Sequence, residues 1–271
     1  MFNITRNGLD AISKQLGVIS NNIANSATTG FKRTRTEFVD FYAKALSDKP
    51  NSKGGLGAFM QGTQKIMQQG SPIMTGGALD LTISGRGFFV LSPRVGADPR
   101  FTRDGSFNLD SNGNLITTDG FNVAGYPIDN EGNLIKTAAV PLKIPLSIIN
   151  AEGKNVSLTG LNIDAKGNIE TTYGLNSILK RGQIALAKFT NETALKQTGS
   201  NTYQANNKSG EQVLGEAMKG SFGEILSGSL ESSNTNILNE MVNLLQTQQA
   251  FNGNARILQS NVDVTRRLMD S

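Results

Sequence analysis

The chain has 271 residues, of which 37% are hydrophobic and only 6% aromatic, a share that argues against one large, dense core and for an open architecture that keeps apolar surface for partners. Cysteine and histidine are both absent, which removes disulfides, thiolate chemistry, and the commonest general base and metal ligand. The net charge of +4 is mild, and no apolar run approaches the length of a membrane span.

The opening residues, Met1-Phe2-Asn3-Ile4-Thr5-Arg6, carry no apolar signal core and no cleavage site, so if the protein leaves the cell an ordinary cleaved signal is not expected to direct it. From there Phe2, Leu9, Ile12, Leu16, Ile19 and Ile23 fall on 3- and 4-residue steps, with Thr5 filling the gap. That heptad-like spacing predicts a helix over roughly 4–26. Ser26-Ala27-Thr28-Thr29-Gly30 ends it, since glycine readily takes the left-handed conformation after a helix. Asn21, Asn22 and Asn25 admit two readings: hydrogen bonds that set register between subunits, or capping with solvent exposure. Lys32-Arg33-Thr34-Arg35 reads as a solvated turn and helix face. Nucleic-acid binding would want a broader basic stripe or stacking aromatics.

Residues 47–77 are rich in Gly, Ser, Lys and Gln and predict an extended linker holding one or two weak strands. From 78 to 226 short apolar runs alternate with turn signals, for example Gly87-Phe88-Phe89-Val90-Leu91 and 184–189, which predicts a domain of short strands. Three segments share the form Asp-x-x-Gly-Asn-apolar, beginning at Asp110, Asp129 and Asp164. Aspartate bonds its own backbone two residues on and glycine supplies positive φ, so these are expected to be hairpin turns. A calcium loop of the helix–loop–helix kind fails at the first of them, because Phe121 stands where a glutamate ligand is required.

At the C-terminus Ile237, Met241, Leu244, Phe251, Ala255, Leu258, Val262 and Met269 repeat the 4- and 3-residue steps, with Gln248 and Thr265 as polar members. Candidate N-caps run from Ser232 to Asn236. A helix of about 35 residues would reach about 52 Å, longer than its N-terminal counterpart, and the unmatched apolar stripe points to packing between molecules. The fold class expected is α+β. N- and C-terminal helices form an antiparallel coiled-coil tube domain, with a central all-β domain of short strands between them in the chain. The expected divisions are 1–46, 47–77, 78–226 and 227–271. The expected assembly interface comprises Leu16, Ile19, Asn22, Ile23, Asn25, Met241, Leu244, Phe251, Leu258 and Val262, with no catalytic, cofactor or metal residues.

Four ordered blocks resemble a known family. Asn21-Asn22-Ile23-Ala24-Asn25-Ser26-Ala27-Thr28-Thr29-Gly30-Phe31-Lys32 resembles the signature segment of bacterial flagellar rod and hook proteins. Leu79-Asp80-Leu81-Thr82-Ile83-Ser84-Gly85-Arg86-Gly87-Phe88-Phe89 and Phe101-Thr102-Arg103-Asp104-Gly105-Ser106-Phe107 resemble the blocks that open its β-domain. Gly228-Ser229-Leu230-Glu231-Ser232-Ser233-Asn234 with Glu240-Met241-Val242-Asn243-Leu244 resembles the block that opens its terminal helix. The resemblance covers about 1–46, 78–127 and 183–271. It implies a structural, non-enzymatic subunit of a self-assembling tube, located in the flagellar hook or basal body. Implied partners are further copies of the chain, other rod, hook and junction proteins, and the flagellar type III export apparatus. No nucleic acid, small-molecule substrate or cofactor is implied. By motif, Asn25–Lys32, Glu37–Tyr42 and Gly125-Tyr126-Pro127 favour the hook subunit. The short distance from Tyr126 to Gln183 favours a distal or proximal rod subunit, the second reading. A secreted adhesive or carbohydrate-binding β-domain is the more distant alternative, served by Phe88, Phe89, Tyr126 and Tyr173 but not by tryptophan, which is absent.

Overall fold

In a computed structural model, residues 2–42, 55–92, 98–129, 134–135, 139–149, 153–174 and 177–269 are described. The chain is α+β and divides into two compact units, each assembled from separate stretches. The first comprises Met1–Ser26, Arg33–Ile66 and Thr235–Ser271; the second comprises Ala27–Lys32 and Met67–Asn234.

In the first unit, helix α1 runs Phe2–Ala24 and helix α2 runs Ile237–Met269. Asn236 starts α2 by the capping chemistry expected there: its Oδ1 accepts from the amides of Leu238 at 3.1 Å and Asn239 at 3.2 Å. Glu240 in the first turn of α2, and Arg266 and Arg267 in its last, complement the helix dipole. Gly8 of α1 lies beside the Asn254 side chain, and Asn22 beside Glu240. As α1 advances α2 recedes, so the two run antiparallel.

A long antiparallel ribbon completes this unit. Strand β1 (Thr34–Tyr42) pairs with β2 (Gly55–Lys65) from Thr34↔Lys65 to Tyr42↔Gly55, with irregularities after Glu37 and Asp40. β2 falls inside the glycine-rich segment 47–77, whose residues 47–54 lie outside the described ones. A two-stranded ribbon is marginal in water on its own. This one leans on α1: at Gly57, where φ is +94°, a Cβ would stand 3.3 Å from the Ile4 side chain.

The second unit holds two six-stranded antiparallel sheets. In one, the order is Val140–Pro141, Ala124–Pro127, Ser177–Ile184, Asn168–Tyr173, Asn155–Ile163 and Ser147–Ile149. In the other, it is Lys196–Gly199, Thr202–Gln204, Arg100–Thr102, Phe88–Leu91, Leu186–Lys188 and Val213–Gly215. Phe88–Leu91 shows no polar alternation because both of its faces are covered. Phe89 and Leu91 join Leu81, Ile83, Phe107, Ile184 and Leu186 in one core, while Phe88 and Val90 join Phe101, Phe189 and Tyr203 in a second. Phe101 and Phe189 meet edge to face at 4.8 Å.

The Asp-x-x-Gly-Asn turns form as their residue types dictate. Asp110 Oδ1 accepts from the amides of Asn112 and Asn114, both at 2.8 Å, and Gly113 sits at φ +78°. Asp164 does the same with Lys166 at 2.9 Å and Asn168 at 2.8 Å, with Gly167 also at +78°. Of the third segment, Ile128 bridges Leu134, and 130–133 lie outside the described residues.

Candidate assembly site and its polar anchors

The helix pair of the first unit carries the candidate site. Along α1, Thr5, Ala11, Ile19 and Asn22 are buried, and Leu9, Ile12, Leu16, Ile23 and Asn25 are half-buried. Along α2 the covered face runs Glu240, Leu244, Thr247, Phe251, Asn254, Ala255, Leu258 and Asn261, again on 3- and 4-residue steps. Much of that face is polar. The apolar residues of α2 that remain exposed are many: Ile237, Leu238, Met241, Val242, Leu245, Ile257, Val262, Val264, Leu268 and Met269. Leu245 is 59% exposed and Leu268 73%. Such an uncovered apolar surface marks an interaction face.

A polar anchor fixes the start of α2 against the end of α1. Asn22 is buried, and its side-chain amide acts as an extra rung on β1: Nδ2 donates to the Thr34 carbonyl at 2.7 Å, and Oδ1 accepts from the Thr34 amide at 2.9 Å. The same Nδ2 lies 3.4 Å from Glu240 Oε2, and Arg33 Nη1 donates to Glu240 Oε1 at 3.1 Å. Glu240 is buried on a helix whose sequence pattern gives it no apolar role, so counting hydrophobic steps could not find it. Asn25 instead bonds back to the Asn21 carbonyl at 2.9 Å, a local closure of the helix end.

The second unit contains a further anchor that the sequence reading placed elsewhere. Lys32, expected on a solvated turn, is 1% exposed, because Glu231, itself fully buried, pairs with it. Arg103, also buried, lies 3.5 Å from the other carboxylate oxygen and stacks over the Phe88 ring at 5.1 Å. Burial pushes the Lys32 ammonium below its ordinary pKa, a cost that the neighbouring Glu231 charge partly offsets. Arg103 is lowered for the same reason.

An antiparallel helix pair with an uncovered apolar face, carried on the same chain as a closed β unit, defines a structural protein of the α+β class. Comparison with known proteins gives the family. Residues 2–32 match the family described as flagella basal body rod protein. Residues 82–200 match the flagellar hook protein FlgE/F/G D1 domain, and 226–270 the flagellar basal body rod FlgEFG protein C-terminal family. The flagellar basal-body rod protein FlgG of Buchnera aphidicola subsp. Schizaphis graminum is 32% identical, over 98% of this chain and 96% of its own length. FlgG of Bacillus subtilis is 31% identical, over 97% and 95%. The flagellar hook protein FlgE of Salmonella typhimurium is 25% identical over 401 aligned positions, covering 97% of this chain and 98% of that protein. The chain belongs to the flagellar basal-body rod and hook protein family. It is a structural subunit of the flagellar axial structure and not an enzyme.

Proposed function

We propose that the chain is a subunit of the flagellar rod, assembling with copies of itself into a tube around the export channel. The observation that carries this reading is length. The rod-protein relatives align with this chain nearly end to end over 277 and 274 positions, whereas the hook relative needs 401. A hook relative therefore carries an insertion for which this chain has no counterpart. The hook reading keeps the support of the motif segments named above. Immunogold labelling of isolated hook–basal bodies separates the two: label confined to the rod is expected, and label along the curved hook would reverse the assignment.

In this reading the helix pair is a coiled coil of the inner tube. Ile19, Asn22, Leu16, Ile23, Leu244, Phe251 and Leu258 hold the pair together, Asn25 closes the end of α1, and Met241 and Val262 join Leu238, Val242, Leu245 and Ile257 in facing neighbouring subunits. Fully covering one leucine-sized side chain contributes about 1.5–3 kcal/mol, so each such contact with a neighbour adds to the stability of the assembled helix pair. Export through the flagellar type III apparatus, and junctions with other rod and hook proteins, complete the proposal. The expected divisions at 1–46, 47–77, 78–226 and 227–271 become functional ones within it. The terminal segments build the tube, 47–77 tunes contacts between subunits, and the β-domain forms the outer layer.

A further inference from the structure

The chain passes between its two units at four peptide bonds, 26/27, 32/33, 66/67 and 234/235. Within the β-rich unit, the stretches that carry these four ends are gathered on one carboxylate. Glu231 Oε1 accepts from Lys32 Nζ and from the Gly70 amide at 2.9 Å. Its Oε2 faces Arg103 Nη1 at 3.5 Å, and its backbone carbonyl accepts from the Gly30 amide at 2.8 Å. The Gln68 carbonyl accepts from Lys32 Nζ at 2.8 Å and from Asn234 Nδ2 at 2.9 Å. The Ser232 amide donates to the Ser71 carbonyl at 2.9 Å.

Two glycines permit this crowding. A Cβ at Gly70 would fall 1.9 Å from the Ser232 carbonyl oxygen, and one at Gly30, where φ is +65°, would fall 2.7 Å from the Asp104 amide nitrogen. The next residue along, Arg33, pairs with Glu240 inside the other unit. Consecutive cations thus serve carboxylates of different units, and the boundary between the units runs between them.

Stability alone does not account for this cluster. Desolvating two cations and a carboxylate costs more than an apolar replacement of the same volume would, and such replacements are often neutral or stabilising. What buried charge-assisted bonds supply is direction, since few arrangements of the three groups satisfy all of them. We propose that Lys32, Arg103 and Glu231 are positioning residues. They clasp the outgoing stretches 27–32, 67–71 and 229–234, so that both chain termini leave the β-rich unit from one fixed point. The consequence for assembly rests on the tube reading above; the clasp itself does not.

The full-length chain carrying Glu231→Gln keeps the side-chain shape and loses the charge. Amide hydrogen exchange at 28–32, 67–71 and 229–234 is expected to accelerate at least tenfold, while Phe88–Leu91 and Leu186–Lys188 keep their protection. The triply apolar variant Lys32→Met/Arg103→Met/Glu231→Leu, which removes the three charges together, is expected to fold with the same core protection and the same loosened passages. In flagellated cells both variants are expected to form fewer axial structures than the parent chain. Unchanged exchange at the passages, or equal acceleration throughout the core strands, would overturn the clasp. Loosened passages with undiminished assembly would overturn its positioning role. Were the chain located outside the rod, the exchange pattern would still stand, so the two proposals fail separately.

Discussion

The two units solve the problem of apolar surface in opposite ways. In the β-rich unit, Phe88–Leu91 and Leu186–Lys188 are covered on both faces, and side chains as large as Phe89, Phe101 and Tyr203 are wholly withdrawn from solvent. In the helical unit, the covered face of α2 mixes Glu240, Thr247, Asn254 and Asn261 with Leu244, Phe251 and Leu258, while Leu238, Val242, Leu245, Ile257 and Leu268 look outward. One unit closes its own core and is complete as a folded body. The other mixes polar residues into its internal contact and leaves much of its apolar surface exposed. A subunit that must be stable before assembly, yet adhesive during it, gains from keeping those tasks on separate stretches of chain.

The largest effect expected from this contrast lies in the closed unit. Phe89→Ala should cost about 3–5 kcal/mol in denaturant unfolding, because it opens a cavity where collapse is blocked from both sheet faces. A loss below about 1 kcal/mol would show that this core is loosely packed and that the contrast is false. Asn22→Ala should cost about 1–3 kcal/mol, since it strips partners from the half-buried Thr34 backbone and from the buried Glu240. That loss should appear as faster exchange along β1 and at the start of α2, with Phe88–Leu91 unaffected; uniform acceleration would mean that the anchors do not act unit by unit. The smallest effect is a pH dependence. The Asn114 amide and side chain, ahead of the Asn112 and Gly113 amides, hold the Asp110 carboxyl below its ordinary value of 3.8. A depressed folded-state pKa stabilises the turn above pH 3.8, a contribution lost as pH falls through the lowered value. Titration followed at the Asn114 amide should show the transition below 3.8, and Asp110→Asn should remove it.

Much of the architecture was legible because its causes are local. The 3- and 4-residue apolar steps predicted both helices, and Asn236 capped α2 from within the polar run that pointed to it. The Asp-x-x-Gly-Asn segments specified their turns through bonds spanning two to four residues. What stayed hidden depends on distant partners. Lys32 looked solvated because Glu231 lies 199 positions away, and Glu240 acquires its place only through Asn22 and Arg33, 218 and 207 positions earlier. Hydrophobic stepping also merged residues that the fold separates. Leu244, Phe251 and Leu258 are half-buried, whereas Met241 and Val262 from the same stripe are exposed. A stripe records which residues are apolar, and which of them the fold covers depends on partners distant in the sequence.

The account turns on the outward apolar face of α2, and Leu245→Asp tests it directly. As a purified chain, the variant should unfold within about 0.5 kcal/mol of the parent, because an exposed side chain far from any anchor contributes little to the monomer. In a flagellated cell that carries it as the only copy, electron microscopy should find axial structures truncated or absent. Complete structures of normal length, built from the variant, would contradict the claim that this face joins one subunit to the next.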